Sequence, residues 1–362
     1  MPFAQLLLTW YDQYKRALPW RETKDAYTIW VSEVILQQTR VEQGMKYFFR
    51  FMEAFPDVQA LAQAPLQQLL HVWQGLGYYS RARNMHQAAR EIAHQQQGRM
   101  PQTYQEWLKV KGVGPYTAAA IASIVTSQPV AALDGNAYRV ISRIFAIEHG
   151  FESSAEKKAF FVLATGLMDQ SRPGDFNQAL MDFGSLICKP AAPRCEECPF
   201  NRECRALLHD AVMKYPVRKK KNPPRTRYFN YFLFIDSHHQ IFWVQKRQND
   251  DIWKDLYELP LVETPAEADS GQIMLSAQWA AAFSQPERFC FLGDPVRLTH
   301  KLTHQTIQAS FFFVEIFSAK KLNFGKHLVE VTYKDFGQMP KSRLMQRFFD
   351  SPRVSKLLNN AV

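Results

Sequence analysis

The stretch LKVKGVGPYTAAAIAS, residues 108–123, places a Gly-Val-Gly turn (Gly112, Val113 and Gly114) between two helical segments. Glycine lets a backbone approach a ligand closely, and the helix after the turn offers free N–H groups and its positive dipole end to a phosphate. The stretch therefore predicts a helix-hairpin-helix motif that contacts phosphate. Because similar turns also merely join helices, the surrounding sequence has to support this interpretation.

The segments around this motif have the apolar spacing of short helices, whereas the second half of the chain has a different pattern. Runs such as YFNYFLFID and IFWVQKR are β-rich and partly alternating, and a helix is predicted near KSRLMQRFF. A chain of 362 residues is long enough for two domains. We expect an all-α domain over residues 1–213 and an α+β domain over residues 228–362.

The segment between these halves, residues 214–227 (KYPVRKKKNPPRTR), contains seven basic residues and no acid. Since the whole chain has a formal charge of +10, the remainder supplies only 10 − 7 = +3. Its prolines and self-repulsion favour an extended linker. This linker is either a phosphate-binding segment or a solvated tether without a ligand.

The N-terminal stretch MPFAQLLLTWYDQYKR has no basic leader before its apolar residues and no cleavage pattern, so it predicts an amphipathic helix rather than a signal peptide. The most apolar stretch, residues 117–133, is broken by polar residues and Pro129 and suits a buried helix. We expect a cytoplasmic protein, monomeric and without a membrane partner.

Two carboxylates stand out by their surroundings. Glu33 lies in TIWVSEVILQQTR (28–40), where helical spacing would place it beside Ile29 and Trp30. Burial among apolar side chains raises the pKa of a carboxyl and favours the acid form, although a solvated position on an amphipathic helix is the ordinary alternative. Asp134, in LDGNAYRV, is in the position of a helix N-cap.

Four of the five cysteines fall within the loop CKPAAPRCEECPFNREC, residues 188–204. In a reducing compartment disulfides are disfavoured, so this crowding of cysteines argues for a metal centre. Zinc sites usually use two short chelating pairs, whereas this loop has one such pair, so four thiolates in one loop favour an iron-sulfur cluster over zinc. The candidate ligands are Cys188, Cys195, Cys198 and Cys204.

Taken together, the first half resembles the helix-hairpin-helix DNA glycosylases of the endonuclease III superfamily, and within it the MutY family of A/G-specific adenine DNA glycosylases. Besides the cysteine loop, the matching segments are LPWR (18–21), WVSEVILQQTRV (30–41), WQGLGYYSRARN (73–84), GVGPYTAAAI (112–121), LDGN (133–136) and ALMDFGS (179–185). The resemblance implies a [4Fe-4S] cluster on the four cysteines. It also implies removal of adenine paired with 8-oxoguanine, or less efficiently with guanine, from double-stranded DNA.

The resemblance also assigns roles to individual residues. Glu33 would protonate the extruded adenine, and an ionised Asp134 would stabilise the positive charge left on the sugar, as in glycosidases with two carboxylates. Asn136 would support this geometry, and the base pocket would be lined by Trp20, Arg21, Tyr116 and Asp182. The endonuclease III branch has a Schiff-base lysine at the position of Tyr116, so a monofunctional glycosylase is expected here.

Further residues are implied in DNA contacts around the opposite base, namely Gln38, Thr39, Leu76, Gly77 and Tyr78. The second half resembles the family's Nudix-like domain that reads 8-oxoguanine. Many members carry Phe-Ser-His at the reading turn, whereas this chain has Leu302, Thr303 and His304. Thr303 retains a hydroxyl able to hydrogen-bond. No Glu-rich metal-binding helix follows DDIWKDLYELP (250–260), so pyrophosphate hydrolysis is not expected.

Two other functions remain open at this point. A bifunctional glycosylase and lyase of the endonuclease III type is disfavoured by Tyr116 and by the second domain. A lesion-binding protein without catalysis would require Glu33 to be exposed, or replaceable by Gln without loss of base release.

Overall fold

The computed structural model describes residues 2–95, 97–217, 223–236, 241–248, 250–282, 289–316 and 328–354. Two compact units are present: one contains residues 1–64 and 83–221, the other residues 65–82 and 222–362. No helix among the described residues is long and apolar enough to cross a membrane.

The first half of the chain is helical throughout. Its helices are α1 (Phe3–Tyr14), α2 (Ala26–Leu36), α3 (Val41–Ala54), α4 (Val58–Gln63), α5 (Leu66–Val72), α6 (Ser80–Gln95), α7 (Tyr104–Trp107), α8 (Pro115–Val125), α9 (Gly135–Phe145), α10 (Ser154–Leu167), α11 (Pro173–Leu186) and α12 (Arg205–Leu208). A short 3-10 turn spans Pro19–Arg21 and a second spans Val212–Lys214. Helix α5 belongs to the second compact unit.

Helices α2 and α8 are the most buried elements around the hairpin. In α2 nine of the eleven residues are buried. The helix is capped by Asp25, whose carboxylate accepts the Thr28 N–H at 2.7 Å. In α8 the small residues Thr117–Ser123 are all buried. The Gln37 side chain joins the two helices by donating to the Thr117 hydroxyl at 3.1 Å. The Ala-rich stretch is therefore a core helix, as the sequence predicts.

A second core in this unit supports the cysteine loop. It is built from the apolar faces of α1, α9, α10 and α11 together with Phe200 and Cys204 of the loop. Phe3 stacks on Phe200 with ring centroids 5.0 Å apart, and Phe183 meets Phe200 edge-on at 5.5 Å. The loop is thus anchored to a core that includes α9, whose N-terminus carries Asp134 and Asn136.

The second half of the chain forms one mixed sheet with flanking helices. Its strands are β1 (Arg225–Asp236), β2 (Ile241–Lys246), β3 (Tyr257–Glu258), β4 (Leu261–Thr264), β5 (Phe289–Phe291), β6 (Val296–Lys301), β7 (Gln305–Ile316) and β8 (Leu328–Thr332), and its helices are α13 (Ser270–Met274), α14 (Ala277–Ala282), α15 (Tyr333–Gln338) and α16 (Arg343–Phe349). Hydrogen-bonded neighbours in the sheet follow the order β3-β2-β1-β7-β5. β1 and β7 are parallel, and β6 forms an antiparallel hairpin with β7.

Alternation along β1 gives the sheet two apolar faces. Phe229, Tyr231 and Leu233 face a core shared with the apolar side of α16. Phe232 and Phe234 face the opposite core, which contains Ile273 and Trp279 of α13 and α14. Both faces are covered, so the β-rich runs become a sandwiched sheet rather than an exposed one.

Two features differ from the division drawn on the sequence. Residues 65–82 pack with the C-terminal unit, although the sequence pattern assigns them to the first domain. β1 begins at Arg225, within the predicted linker, where it pairs with Gln305 of β7. Two residues later Arg227 forms ion pairs to Asp251 at 2.6 Å and Glu263 at 2.7 Å. Residues 218–222 of the linker lie outside the described residues.

Candidate active site and cysteine loop

Glu33 is buried in α2, with only 9% of its surface exposed. Its neighbours one turn away, Ile29 and Trp30, are 1% exposed. Burial raises the pKa of Glu33 to about 7; a hydrogen bond from Tyr116 opposes this shift, the charge of Asp134 adds to it and that of Arg21 opposes it. Desolvation dominates, as expected for a carboxyl in an apolar niche. Near neutral pH this side chain is divided between acid and carboxylate.

Tyr116, in the first turn of α8, contacts Glu33 by a hydrogen bond. Its hydroxyl also lies 3.1 Å from the sulfur of Met181 in α11. A phenol has a single proton to donate, so when that proton points to Met181 the Tyr116 oxygen can accept one from a protonated Glu33. Burial and the charges of Glu33 and Asp134 raise the pKa of Tyr116 further above its ordinary value.

Asp134 is the N-cap of α9, as predicted from its sequence context. Its carboxylate accepts the backbone N–H groups of Asn136 at 2.9 Å and Ala137 at 2.8 Å. The Asn136 side-chain amide donates to the other carboxylate oxygen at 2.6 Å. Burial raises the pKa of Asp134, and these three hydrogen bonds oppose the rise. The helix N-terminus thus holds the carboxylate in one orientation and favours its charged form.

Asn136 is held from its other side by Arg139, one turn along α9. The Arg139 guanidinium donates to the Asn136 side-chain oxygen and to the Gly184 carbonyl, both at 2.7 Å, and to the Cys188 carbonyl at 2.7 Å. A Cβ atom on Gly184 would lie 2.5 Å from the Asn136 Cβ. Arg139 therefore connects the N-cap of α9 to the first residue of the cysteine loop.

Asp182 in α11 is fully buried, and its carboxylate forms ion pairs with two arginines. Its oxygens accept from Arg21 at 2.7 and 3.0 Å and from Arg16, including the Arg16 Nε at 2.8 Å. Although burial opposes ionisation, these hydrogen bonds and charges hold the pKa of Asp182 below its usual value. Arg21 also lies over the Tyr11 ring at 5.6 Å. Asp182 thus serves as the counter-ion that fixes Arg21 beside Glu33.

Trp20 is buried next to Arg21 and meets Phe48 edge-on at 5.0 Å. Sequence reasoning missed Arg16, Met181 and Arg139. Arg16 and Asp182 are separated by 166 residues, and no local pattern marks such a partner. For Arg139 a signal existed, because it follows Asn136 by three residues on one helical face.

The four cysteines of the loop line one small cavity together with Arg143 and apolar residues of α11. Arg143 is buried and fixes the loop through the carbonyls of Lys189 at 2.7 Å and Pro190 at 3.0 Å. Within the described part of the chain, no three metal-binding side chains converge closely enough to hold a single ion. The four thiols nevertheless line the same cavity, so they are the residues of this loop that could hold a metal centre.

The hairpin before α8 has the expected geometry. Gly112 has φ = +80°, and a Cβ there would lie 2.7 Å from the Asn84 Cβ, so the position requires glycine. Gly114 has open space where a Cβ would stand and caps α8 without a side-chain acceptor. Val113 is buried beneath the turn. Pro115 has no N–H and the Val113 N–H donates to the Val110 carbonyl at 3.0 Å, so the donors that this turn offers to a phosphate are the N–H groups of Gly112 and Gly114.

The residues predicted to contact DNA lie in two places. At the end of α2, Gln38 is exposed with φ = +59° and Thr39 is partly buried. In the second unit, Gly77 and Tyr78 have positive φ, and Tyr78 is 46% exposed. Leu76 is only 8% exposed, so in this conformation Tyr78 and not Leu76 faces outward.

The predicted reading turn lies beside Tyr78. Thr303 and His304 are exposed at the tip between β6 and β7, and the Thr303 hydroxyl is hydrogen-bonded to the Tyr78 hydroxyl. The His304 carbonyl accepts the Arg225 N–H at 3.1 Å, which ties the tip to the start of β1. The structure thus brings together Tyr78 and Thr303, which are 225 residues apart.

Two family models match the chain. That of the HhH-GPD superfamily of base excision DNA repair proteins matches residues 31–161, and a NUDIX domain model matches residues 230–351. An adenine DNA glycosylase of Buchnera aphidicola subsp. Schizaphis graminum is 35% identical over 264 residues, covering 72% of this chain and 75% of the relative. The chain belongs to the adenine DNA glycosylase family. The adenine DNA glycosylase of Homo sapiens is 43% identical over 213 residues, covering 56% of this chain and 39% of the relative.

Solved structures agree with the fold of the helical half. A thermostable thymine-DNA glycosylase matches with a TM-score of 0.52 at 30% identity, covering 57% of this chain and 95% of that chain. A trapped endonuclease III–DNA covalent intermediate matches with a TM-score of 0.50 at 20% identity over the same shares, which bears on the fold alone. The predicted fold class is confirmed: a helical helix-hairpin-helix domain is followed by a Nudix-like domain with a mixed sheet.

As a member of the adenine DNA glycosylase family, this chain is a hydrolase of base excision repair that acts on the N-glycosidic bond. The predicted family and enzyme class are confirmed. Its substrate is DNA.

Proposed function

We propose that this protein removes adenine paired with 8-oxoguanine, and less efficiently adenine paired with guanine, from double-stranded DNA without cutting the strand. The observation that carries the proposal is the burial of Glu33, which raises its pKa to about 7 next to Tyr116 and Asp134. A base stacked in a duplex is out of reach of a catalyst, so the adenine is extruded into this site.

Glu33 acts as the general acid. It transfers its proton to an imidazole nitrogen of the adenine, which lets the electron pair of the breaking C1′–N9 bond leave with a neutral base. An acid with a pKa of about 7 is still protonated in part of the population at neutral pH. When the Tyr116 proton points to Met181, the Tyr116 oxygen accepts the hydrogen bond of protonated Glu33 and orients the acid.

Asp134 acts on the sugar. Loss of the base leaves positive charge on the deoxyribose, which the ionised carboxylate stabilises until water adds to C1′ and loses a proton. Asn136 holds that carboxylate through its side-chain amide at 2.6 Å. The three hydrogen bonds on Asp134 make its position the same before and during the reaction, so little reorganisation is needed.

Trp20, Arg21 and Asp182 form the base pocket. Trp20 supplies a buried aromatic wall, and Asp182 fixes the Arg21 guanidinium so that its remaining donor capacity is directed inward. The Arg21 Nε is buried and has no hydrogen-bond partner among the described residues, so a nitrogen acceptor on the base would satisfy it.

The absence of lyase activity follows from Tyr116. A lyase of this superfamily uses a lysine at this position to form an imine with the sugar, and a phenol cannot form one. Borohydride reduction in the presence of abasic DNA is expected to leave the wild-type protein free. Covalent trapping at the rate of base release would instead support the bifunctional alternative.

The second domain reads the opposite base. Tyr78 and Thr303 present two hydroxyls at one exposed site, and each can donate or accept a hydrogen bond. Helix α13, SGQIM, follows the strand where a Nudix hydrolase would carry its metal-binding glutamates, and it contains none. We infer that the domain recognises 8-oxoguanine and does not hydrolyse nucleotides.

The remaining predicted contacts hold the duplex. Gly112 and Gly114 present backbone N–H groups to a phosphate, with Val113 buried beneath them. In the first unit Gln38 and Thr39, and in the second unit Gly77 and His304, are each proposed to contact DNA near the opposite base. Leu76 is 8% exposed and would have to turn outward to do the same. Such backbone contacts give affinity that falls with salt, while the pocket and the reading site give selectivity.

We also propose that Cys188, Cys195, Cys198 and Cys204 hold a [4Fe-4S] cluster. The support is the cavity that the four thiols share with Arg143, together with the presence of only one short chelating pair in the loop. When bound, the cluster supplies four thiolate bonds that fix the loop. Arg139 and Arg143 then hold that loop against α9.

The test is base release from duplexes with adenine opposite 8-oxoguanine, guanine or thymine. Wild-type protein and the Glu42→Gln control, which changes an exposed carboxylate, are expected to release adenine in that order of rate. Glu33→Gln is expected to lose at least about a hundredfold, the usual contribution of a general acid. Unchanged release by Glu33→Gln would overturn the mechanism and favour another acid. Binding of the lesion without release by the wild type would favour a non-catalytic protein.

A further inference from the structure

Helix α16 carries two exposed arginines, Arg343 and Arg347, on one side. Residues four apart on a helix are neighbours, with Cβ atoms about 6 Å from each other. The opposite side of the helix is buried in the core of the sheet through Leu344, Met345 and Phe348. The arginines therefore stand on a rigid support. We call them the α16 arginine pair.

No carboxylate among the described residues forms an ion pair with either member of the α16 arginine pair. The Arg347 guanidinium donates one hydrogen bond to the Thr299 carbonyl at 3.1 Å, which holds it beside β6 and leaves its other N–H groups for a second acceptor. Arg297, on the same strand, differs because it pairs with Glu267 at 3.2 Å. The charge of the α16 pair is thus available to an external anion, whereas that of Arg297 is compensated.

Two adjacent tyrosines place the start of α16 beside the reading turn. The Tyr78 hydroxyl is bonded to Thr303 at the turn, and the Tyr79 hydroxyl donates to the Lys341 carbonyl at 3.0 Å, two residues before Arg343. Because the two tyrosines are consecutive, their contacts are separated by no more than the reach of two tyrosine side chains, which places the turn and the first arginine in the same region of this unit. His300 supports this placement: burial, followed by the charges of Arg347 and Arg343, lowers its pKa.

We propose that Arg343 and Arg347 bind successive backbone phosphates of the DNA strand whose base is read by Thr303. This inference rests on the proposed reading of 8-oxoguanine by the second domain. Guanidinium groups bind phosphate through paired, charge-assisted hydrogen bonds. Such contacts carry no sequence information but fix the register of protein and duplex. The pair would hold the lesion strand while Tyr78 and Thr303 test the base.

The test is binding at several salt concentrations to a duplex with 8-oxoguanine opposite an abasic analogue, which has no base to release. The proteins are wild type, Arg343→Ala/Arg347→Ala, the charge-preserving Arg343→Lys/Arg347→Lys, and Arg297→Ala as matched control. Each phosphate contact contributes about 0.9 to the slope of log affinity against log salt. The double alanine variant is expected to lower that slope by about 2. The lysine variant and Arg297→Ala should retain the wild-type slope.

An undamaged duplex, measured in parallel, separates this inference from the proposed function. A phosphate contact predicts the same loss of slope on both duplexes, whether or not the protein prefers 8-oxoguanine. A slope unchanged in the double alanine variant, or an equal loss in Arg297→Ala, would overturn the inference. A loss confined to the damaged duplex would also overturn it, because it would assign the arginines to base reading. Coincident urea unfolding curves for all four proteins show that altered folding is not the cause.

Discussion

The Tyr116 hydroxyl lies between the Glu33 carboxyl and the Met181 sulfur, bonded to the first and 3.1 Å from the second. Since the phenol has one proton, it has two alternatives. It can donate to the Glu33 carboxylate, which lowers the pKa of Glu33, or it can donate to Met181 while its oxygen accepts from protonated Glu33. Burial favours protonated Glu33 and outweighs the hydrogen bond that favours the carboxylate.

The rate of adenine release should follow a bell-shaped dependence on pH. Glu33 must be protonated, so the single-turnover rate should fall by about tenfold per pH unit above its pKa of about 7. Asp134 must be ionised, and its pKa is raised, so the acid limb should lie above the ordinary Asp range. Because the two carboxylates interact, the midpoints belong to the pair. A rate independent of pH between 6 and 9 would contradict Glu33 as the acid.

Replacing Glu33 by Gln should stabilise the protein at high pH. The folded pKa of about 7 exceeds the unfolded value near 4.5, so the wild type loses stability as pH rises through this window and the full cost is present above it. The difference is of order 3 kcal/mol, because each pKa unit corresponds to about 1.4 kcal/mol. Urea unfolding at pH 5 and pH 8 measures it. The exposed Glu42→Gln variant should show no such dependence.

Removing the charge of Asp182 should destabilise the helical unit strongly. Asp182→Asn leaves Arg16 and Arg21 without their buried counter-ion, which typically costs about 3 kcal/mol or more. The folded pKa of Asp182 is lowered, so this contribution is present at neutral pH and is lost as pH falls through that value. Denaturation midpoints of the two proteins should converge in acid.

The matched control for this change is Asp175→Asn on the same helix. Asp175 pairs with Arg172 at 2.8 Å, but both side chains are more than a third exposed. A surface pair of this kind contributes at most about 1 kcal/mol. An equal loss in the free energy of unfolding for the two variants would show that the buried ion pair contributes no more to stability than the surface pair.

The cysteine loop should retain about four irons per chain after anaerobic purification. Cys198→Ser is expected to lose the iron and the visible absorption of the cluster, because one of four thiolate ligands is missing. Cys290, outside the loop, is the control, and Cys290→Ser should keep both. Elemental analysis that found one zinc in place of the iron would overturn the cluster assignment.

The buried position of Glu33 was predictable from the sequence, since apolar residues surround it at helical spacing. The N-cap role of Asp134 and the buried helix after the hairpin followed from equally local signals. The partners of these residues were not predictable in this way. Asp182 meets Arg16 across 166 residues and Tyr78 meets Thr303 across 225, and such contacts depend on how whole elements pack.

The turn at 75–81 shows what the sequence could not rank. Leu76 and Tyr78 are both expected to contact DNA, and of the two Tyr78 is 46% exposed whereas Leu76 is 8% exposed. An apolar side chain gains most from burial, and the two positive φ values at Gly77 and Tyr78 reverse the chain direction just after it. A sequence pattern shows that a turn exists but not which of its side chains points outward.

Gly184 leaves no room beside Asn136, where even a methyl group would meet the neighbouring Cβ at 2.5 Å. A side chain at this position would act as a wedge that displaces the amide from Asp134 while the duplex contacts and the cysteine loop stay intact. We expect the resulting protein to keep its DNA affinity and to lose base release. Replacing one hydrogen of Gly184 by a methyl group would therefore convert a repair enzyme into a protein that stays on DNA without repairing it.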